Sequence, residues 1–465
     1  MTNFIHSVLG FRKFSPAQKI ASSFLLVILF GTLLLMLPIS NRDGAFLSPL
    51  DALFTATSAT CVTGLSVFTV ADQLNWFGQV IMLVLIQVGG LGLMTFMAVF
   101  ILIVKNRLSM NEKIAMKEML NQDRVVNMRK FLLDILYYTL FFEAIGAILI
   151  SFRMIPRFGL VDGGFKAVFL AISAFCNAGF DTLGSVSLQE YVHDPLMCLT
   201  IMSLIILGGL GFAVWFDIRD KVGPLMRREI TIKKFRHSLS LHTKIVVSVS
   251  LVLIIIPGLL IMLVEWANPA TLGNFNVLER LMTSMFESVA LRTAGFTTIN
   301  YGGLNPATSL LMMVVMFIGG SPGGTAGGIK TTTIAVLVIY VISMLKGKEN
   351  AVVLRRTIGR GIIIRAMGIF FINMVVLFTG IFLLNVIEEK DFLSLSFEAV
   401  SAMATVGSSL GITSALSAGA KLVIIFLMYV GRIGISTLIL SLTRPKPNRN
   451  AANKVSYPSG NIIVG

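Results

Sequence analysis
The stretch that most constrains this chain is Asp51-Ala-Leu-Phe-Thr-Ala-Thr-Ser-Ala-Thr-Cys-Val-Thr-Gly64, which lies between two much longer hydrophobic runs, 20–39 and 77–104. It reads as about three turns of helix that stop at Thr60, Cys61, Val62, Thr63 and Gly64. An apolar segment of roughly 10–14 residues is too short to cross a bilayer and fits a re-entrant segment. Irregular backbone at membrane depth is tolerated only where protein buries it or a watery cavity borders it. Span, half-span, span is therefore the outline of a pore-loop unit.

The unit recurs. Further copies are Val168-Phe-Leu-Ala-Ile-Ser-Ala-Phe-Cys-Asn-Ala-Gly179-Phe180, Met285-Phe-Glu-Ser-Val-Ala-Leu-Arg-Thr-Ala-Gly295-Phe296 and Ser396-Phe-Glu-Ala-Val-Ser-Ala-Met-Ala-Thr-Val-Gly407. The loop glycines are spaced by 115, 116 and 112 residues, and a second series, Gly89, Gly208, Gly319 and Gly431, marks the spans that follow. Small residues are common where membrane helices approach closely, which accounts for scattered glycines but not for two ladders sharing one interval. Repeats take precedence over other readings. The expected fold is an all-α membrane protein of four M1–pore helix–M2 repeats with pseudo-fourfold symmetry and eight transmembrane helices.

Composition agrees with a membrane chain, since 55% of the residues are hydrophobic and 13% charged, about half the charge of soluble domains. Eight long runs, 20–39, 77–104, 135–151, 196–216, 245–264, 304–345, 366–387 and 422–442, mostly reach the ~20 residues of a spanning helix. The run 135–151 is near the lower limit and carries Glu143, and 304–345 is too long for one helix and is broken by glycines. The first run lacks a signal-peptide cleavage pattern. The expected divisions are an N-terminus 1–18, repeat one 19–104, linker and repeat two 105–217, linker and repeat three with a broken M2 218–345, linker and repeat four 346–442, and a tail 443–465. Of the 38 basic residues, 28 fall in the N-terminus, in 105–130, 219–244 and 346–365, and in the tail from Arg444. The positive-inside rule then makes both termini cytoplasmic, with the pore loops entering from outside a plasma membrane. The net charge of +15 belongs to that inner face and suits anionic lipid or an acidic partner rather than nucleic acid.

No nucleophile elbow or paired catalytic carboxylates stand out, so the reading is not an enzyme and has no cofactor. Cys61, Cys176 and Cys198 have no metal-ligand spacing. Cys61 and Cys176 each precede a loop glycine by three residues, a place that suits a small side chain behind a filter. His6, His193, His237 and His242 are scattered and receive no role. The stretch from Gly323 to Lys330 resembles a phosphate-binding loop, but Ile329 separates Gly328 from Lys330 and the flanks are membrane helix.

What four such loops can do is replace the hydration shell of a cation with rings of backbone carbonyls. The filter candidates are Thr60, Cys61, Val62, Thr63 and Gly64; Cys176, Asn177, Ala178 and Gly179; Arg292, Thr293, Ala294 and Gly295; and Ala404, Thr405, Val406 and Gly407. Glycine admits the backbone geometry that turns carbonyls inward, and the pore helices point their partially negative C-terminal ends at the cavity. Only Thr405-Val406-Gly407 matches the Thr-Val-Gly of a strict potassium filter, which predicts K+ at the filter with weaker discrimination than a dedicated potassium channel. The flexible segment Gly319, Gly320, Ser321, Pro322, Gly323, Gly324, Thr325, Ala326, Gly327 and Gly328 breaks the third M2 and is the expected gate, with Lys330 and Arg432 adding electrostatic control. Glu287 and Glu398 occupy matching places in pore helices three and four, and Arg292 is expected to pair with one of them behind the filter.

The sequence resembles the Trk/Ktr/HKT superfamily of potassium transporters, most closely its Ktr-type membrane subunits, over nearly its whole length. The resemblance rests on 52–65, Ala174-Phe-Cys-Asn-Ala-Gly-Phe180, Arg292-Thr-Ala-Gly-Phe296, Thr405-Val-Gly407, Gly328-Ile-Lys330, Gly431-Arg-Ile-Gly434 and the ending 455–465. It implies potassium uptake, a membrane homodimer with one pore per protomer, and a cytoplasmic nucleotide-binding RCK ring as regulator. Na+ as an activator occurs in that superfamily. The fourth loop departs from its pattern, with Met403-Ala404 in place of a Phe-Gly pair and Ser408-Ser409 after the glycine. A less selective Na+/K+/NH4+ channel is the alternative. A secondary solute transporter is more remote, because such repeats are often inverted whereas these keep one orientation.

Overall fold
The computed structural model describes residues 16–92, 128–184, 186–229, 231–348 and 350–442. Arg12, Lys13, residues 105–127, the second half of the run 77–104 and the tail with its 455–465 ending lie outside them. Among the described residues the chain is almost wholly helical, and it repeats a long helix, a short helix and a second helix four times.

The long helices are α1 (Pro16–Met36), α4 (Met128–Phe158), α8 (Leu241–Val264) and α12 (Arg360–Ile387), and each contains a stretch long and apolar enough to cross a membrane. The short helices are α2 (Pro49–Thr60), α5 (Leu160–Cys176), α9 (Val277–Ala290) and α13 (Phe392–Ala404). The third set is α3 (Trp76–Gly90), α6 (Pro195–Gly209) with α7 (Phe212–Met226), α10 (Pro306–Phe317) with α11 (Thr331–Leu345), and α14 (Ala418–Ile433) with α15 (Ile435–Leu442).

Local chemistry fixes the starts. Asn75 and Asp194 accept from the first free backbone N–H groups of α3 and α6, and Asn276 with Glu279 makes a full capping box at α9; such side chains satisfy donors that have no partner within the helix. Pro49, Pro195 and Pro306 sit at first helical positions, where the missing N–H costs nothing.

Burial is inside out relative to a soluble protein. The long helices expose Phe30, Phe371 and Phe382, and only 22–33% of their most apolar windows are buried. Such wide apolar surfaces belong against lipid. The short helices are the core: every residue from Leu395 to Ala404 in α13 is buried, as are Phe54 to Thr60 in α2.

The sequence singled out only the third M2 as broken. In fact α6 and α7 meet at a bend of 99°, with Gly211 at φ +88°, and α14 ends at Gly434 with φ +83°. In the first repeat α3 stops at Gly90, and Gly92 has φ +79°. Positive φ ends a helix at little cost in glycine, so a glycine three residues past the second-ladder glycine ends the helix in the first, second and fourth repeats, and the third carries its longer loop 318–330.

Candidate functional site
The four loops close one ring, in chain order. A Cβ built on Gly64 would lie 3.2 Å from the Gly179 Cα, one on Gly179 3.3 Å from the Gly295 Cα, one on Gly295 3.0 Å from the Gly407 Cα, and one on Gly407 2.8 Å from the Gly64 Cα. The four glycines have φ of +99°, +72°, +68° and +94°. Two residues before each stands a side-chain-bearing residue that is also left-handed: Val62 (φ 56°), Asn177 (60°), Thr293 (68°) and Thr405 (53°). For β-branched Val62, Thr293 and Thr405 this is a strained geometry of the kind found at functional sites. The residues between, Thr63, Ala178, Ala294 and Val406, carry no positive φ. Such alternation turns successive peptide groups to one side of the chain, which is what a ring of carbonyl ligands requires.

Each loop is tied to its own pore helix. Gly64 N donates to Ser58 Oγ at 3.1 Å, Gly407 N to Ser401 Oγ at 3.1 Å, and Phe180 N to Ser173 Oγ at 3.0 Å. These serines lie six residues before their glycines, a regularity visible in the aligned repeats but missed in the sequence reading. The third repeat has Val289 there, and its loop is held by the Ala290 carbonyl, which accepts from Ala294 N at 2.9 Å and Gly295 N at 3.2 Å.

The second glycine ladder is explained in three repeats. Gly89, Gly208 and Gly431 press on the carbonyls of Thr60, Phe175 and Met403, each four residues before a loop glycine, so closely that a Cβ would overlap them. Gly319 breaks the pattern, because its neighbours are Gly327 and Gly328 of its own loop.

That loop, 318–330, is pinched at its neck by an Ile318–Ile329 bridge and reaches the other three repeats. Ser321 N and Thr325 N donate to the carbonyls of Gly209 and Gly208 at 3.0 and 3.2 Å, and Phe212 N donates to Gly323 O at 3.0 Å. Thr325 Oγ1 donates to Phe175 O at 3.1 Å and lies 3.2 Å from Asn177 Oδ1. Gly327 abuts the Thr405 side chain, and a Cβ on Gly328 would be 3.1 Å from Ala404 O. Arg432 supplies the contact with the first repeat: its guanidinium donates to Thr325 O and to Gly89 O, and to Gly90 O at 3.3 Å. Lys330 Nζ donates to Ala326 O at 2.8 Å and closes the loop on itself.

One expectation is corrected. Arg292 pairs with neither carboxylate; its Nη2 donates to Ser250 Oγ on α8 at 3.1 Å, and its backbone carbonyl accepts from Asn177 Nδ2 at 3.1 Å. Glu287 instead accepts from Thr298 N (2.9 Å), Thr298 Oγ1 (2.8 Å) and Tyr301 OH (2.5 Å), and Glu398 accepts from Thr413 Oγ1. Arg292 lies two residues past the end of α9, so the helix face that carries Glu287 does not set its direction; it stays buried against α8, while Glu287 braces the segment that leaves the loop. Cys61 and Cys176 are buried free thiols.

The model of the TrkH cation transport protein family matches residues 7–452. The chain is 38% identical to the Ktr system potassium uptake protein B of Bacillus subtilis and 40% identical to the potassium/sodium uptake protein NtpJ of Enterococcus hirae, in each case over 98% of both chains. The crystal structure of the potassium transporter TrkH from Vibrio parahaemolyticus superposes with a TM-score of 0.71 at 21% identity, covering 91% of this chain and 85% of that one. Sequence match and shared fold agree: the chain is a membrane protein of the TrkH cation transport family.

Proposed function
We propose that the chain is the potassium-translocating subunit of a Ktr-type uptake system, in which K+ passes through the ring at Gly64, Gly179, Gly295 and Gly407 and the loop 319–328 closes the path beneath it. The observation that carries this reading is the closed order of contacts, each loop glycine seated against the next and the fourth against the first. An entering ion exchanges water for carbonyl oxygens fixed in place by the loop geometry. The four pore helices end at the ring, and their partial negative charge favours a cation there. Lys330 and Arg432 hold the loop beneath it, and the ion passes when those contacts yield.

The names of the relatives, potassium uptake and potassium/sodium uptake, support K+ as substrate and Na+ as an activator. In the same reading the repeats divide at 104, 217, 345 and 442, both termini are cytoplasmic in the plasma membrane, and a homodimer sits on an RCK ring. A less selective monovalent-cation pathway is the second reading. It is favoured by Ser408, which places a buried hydroxyl just past Gly407 in the fourth loop. The test is uptake in a potassium-transport-deficient cell supplied with the chain and its regulatory subunit, with Na+, Rb+ and NH4+ as competitors. K+ uptake that Gly407→Ser impairs is expected; equal competition by all ions supports the second reading, and no cation uptake overturns both.

A further inference from the structure
Glu143 takes no part in the pathway above, yet it is a carboxyl group in the middle of the membrane-spanning helix α4 and only 5% exposed. An ionisable side chain in such a place marks a functional position with a partner to be found. The partner is Gln87 of α3, in the preceding repeat, whose Nε2 donates to Glu143 Oε1 at 3.1 Å and lies 3.3 Å from Oε2. Cys176 Sγ stands 3.8 Å from both Glu143 Oε1 and Gln87 Oε1. Cys176 is the last residue of α5, three before Gly179. One turn further along α3, Gly90 also presses on it, and a Cβ there would lie 2.5 Å from Sγ.

We propose that Glu143 and Gln87 are positioning residues for ion selectivity: they bracket Cys176 and thereby hold the second loop at the width that prefers K+ to Na+. The proposal rests on the ring reading above and adds to it which side chains fix the ring from outside. Only Asn177 and Ala178 separate Cys176 from Gly179. Asn177 also donates to the carbonyl of Arg292, so a displacement at Cys176 reaches the third loop as well as the second. The corresponding positions in the other late repeats are supported differently, since Arg292 reaches Ser250 and Ala404 has no polar side chain. Simple space filling does not need a carboxyl group, because an apolar residue of similar size would serve better in hydrocarbon. The bracket therefore has to be judged by ion preference and not by stability.

The test compares apparent K+ and Na+ affinities for uptake by the full chain with its regulatory subunit, for Glu143→Leu, Gln87→Leu, Gln87→Glu and the exchange Glu143→Gln with Gln87→Glu. Each single variant is expected to lower the K+ over Na+ preference by about tenfold, the factor equivalent to roughly 1.4 kcal/mol. The exchange keeps one amide facing one carboxyl group in reverse order and is expected to recover the wild-type ratio to within about threefold. Unchanged ratios in the single variants, or an exchange no better than Gln87→Glu alone, overturn the proposal. If Glu143→Leu does not accumulate, the exchange against Gln87→Glu decides by the same criterion. A wild-type chain without K+ preference would leave the less selective pathway and overturn this proposal with it, whereas Gly407→Ser with its preference intact would sink the ring reading.

Discussion

Arg432 is the most informative single position, because one side chain joins the loop beneath the ring to a different repeat. Its guanidinium donates to Thr325 O in the loop and to Gly89 O and Gly90 O at the end of α3. A hydrogen bond to a charged group contributes about 1.5–3 kcal/mol net. On the proposal that this loop closes the path, only the bond to Thr325 distinguishes the loop held across it from the loop displaced, so Arg432→Gln is expected to remove about 1.5–3 kcal/mol from the closed arrangement. That is roughly a 10- to 150-fold shift of the closed-to-open ratio. A pathway closed most of the time then conducts far more often, and the increase should be seen as a raised maximal rate of K+ uptake and a raised open fraction in planar bilayers. Arg432→Lys keeps the charge but not the fork that spans two repeats, and should fall between. The Gly89 and Gly90 carbonyls lose their donor as well, so thermal unfolding in detergent must accompany the flux. A well-folded Arg432→Gln protein with unchanged or reduced flux refutes the tether, as would deletion of Ser321–Gly327 without effect on flux.

Three further outcomes are expected. Gly208→Ala drives a methyl group into the Phe175 carbonyl; overpacking of this kind costs about 1–3 kcal/mol, and a lowered unfolding temperature together with altered K+ affinity checks it. Lys421 Nζ lies 2.8 Å from Asp51 Oδ1 and ties the fourth repeat back to the first, with side chains 14% and 28% exposed; a double-mutant cycle on Asp51→Asn and Lys421→Met should give a coupling of about 0.2–1 kcal/mol by unfolding. Glu265, just past the end of α8, is buried, which alone would raise its pKa, but donors from Thr308, Thr271, Asn268 and Asn305 outweigh that and hold it below the usual glutamate range. Its stabilisation is then present above the ordinary glutamate value of about 4.3 and lost as pH falls through the lower folded value. Glu265→Gln should flatten the acid limb of the stability curve, and an unchanged limb would refute it.

Much of the site was legible because its constraints are local. A half-span too short to cross, ending in a glycine that must turn with positive φ, is written in a dozen residues, and its recurrence at one interval marked Gly64, Gly179, Gly295 and Gly407 as equivalents. The glycine-rich interruption of the third M2 was visible for the same reason. The bend at Gly211 and the helix break at Gly434 were not, since a single glycine inside an apolar run reads equally well as helix packing. The expected pairing of Arg292 with a carboxylate failed because nearness in sequence says nothing about which way a side chain past a helix end will face.

The sequence by itself therefore determined the membrane class, the fourfold repeat and the turns at its centre, because backbone conformation and bilayer thickness act on short stretches of chain. Only the tertiary structure decided that Gly319 leaves the ladder of its three counterparts, that Arg432 reaches from the fourth repeat to Gly89 and Thr325, and that Glu143 meets Gln87 behind the second loop. The contacts of Arg432 and Glu143 join segments 56 to 343 residues apart, and their partners are chosen by which surfaces the closed ring brings together, a selection that no local periodicity encodes.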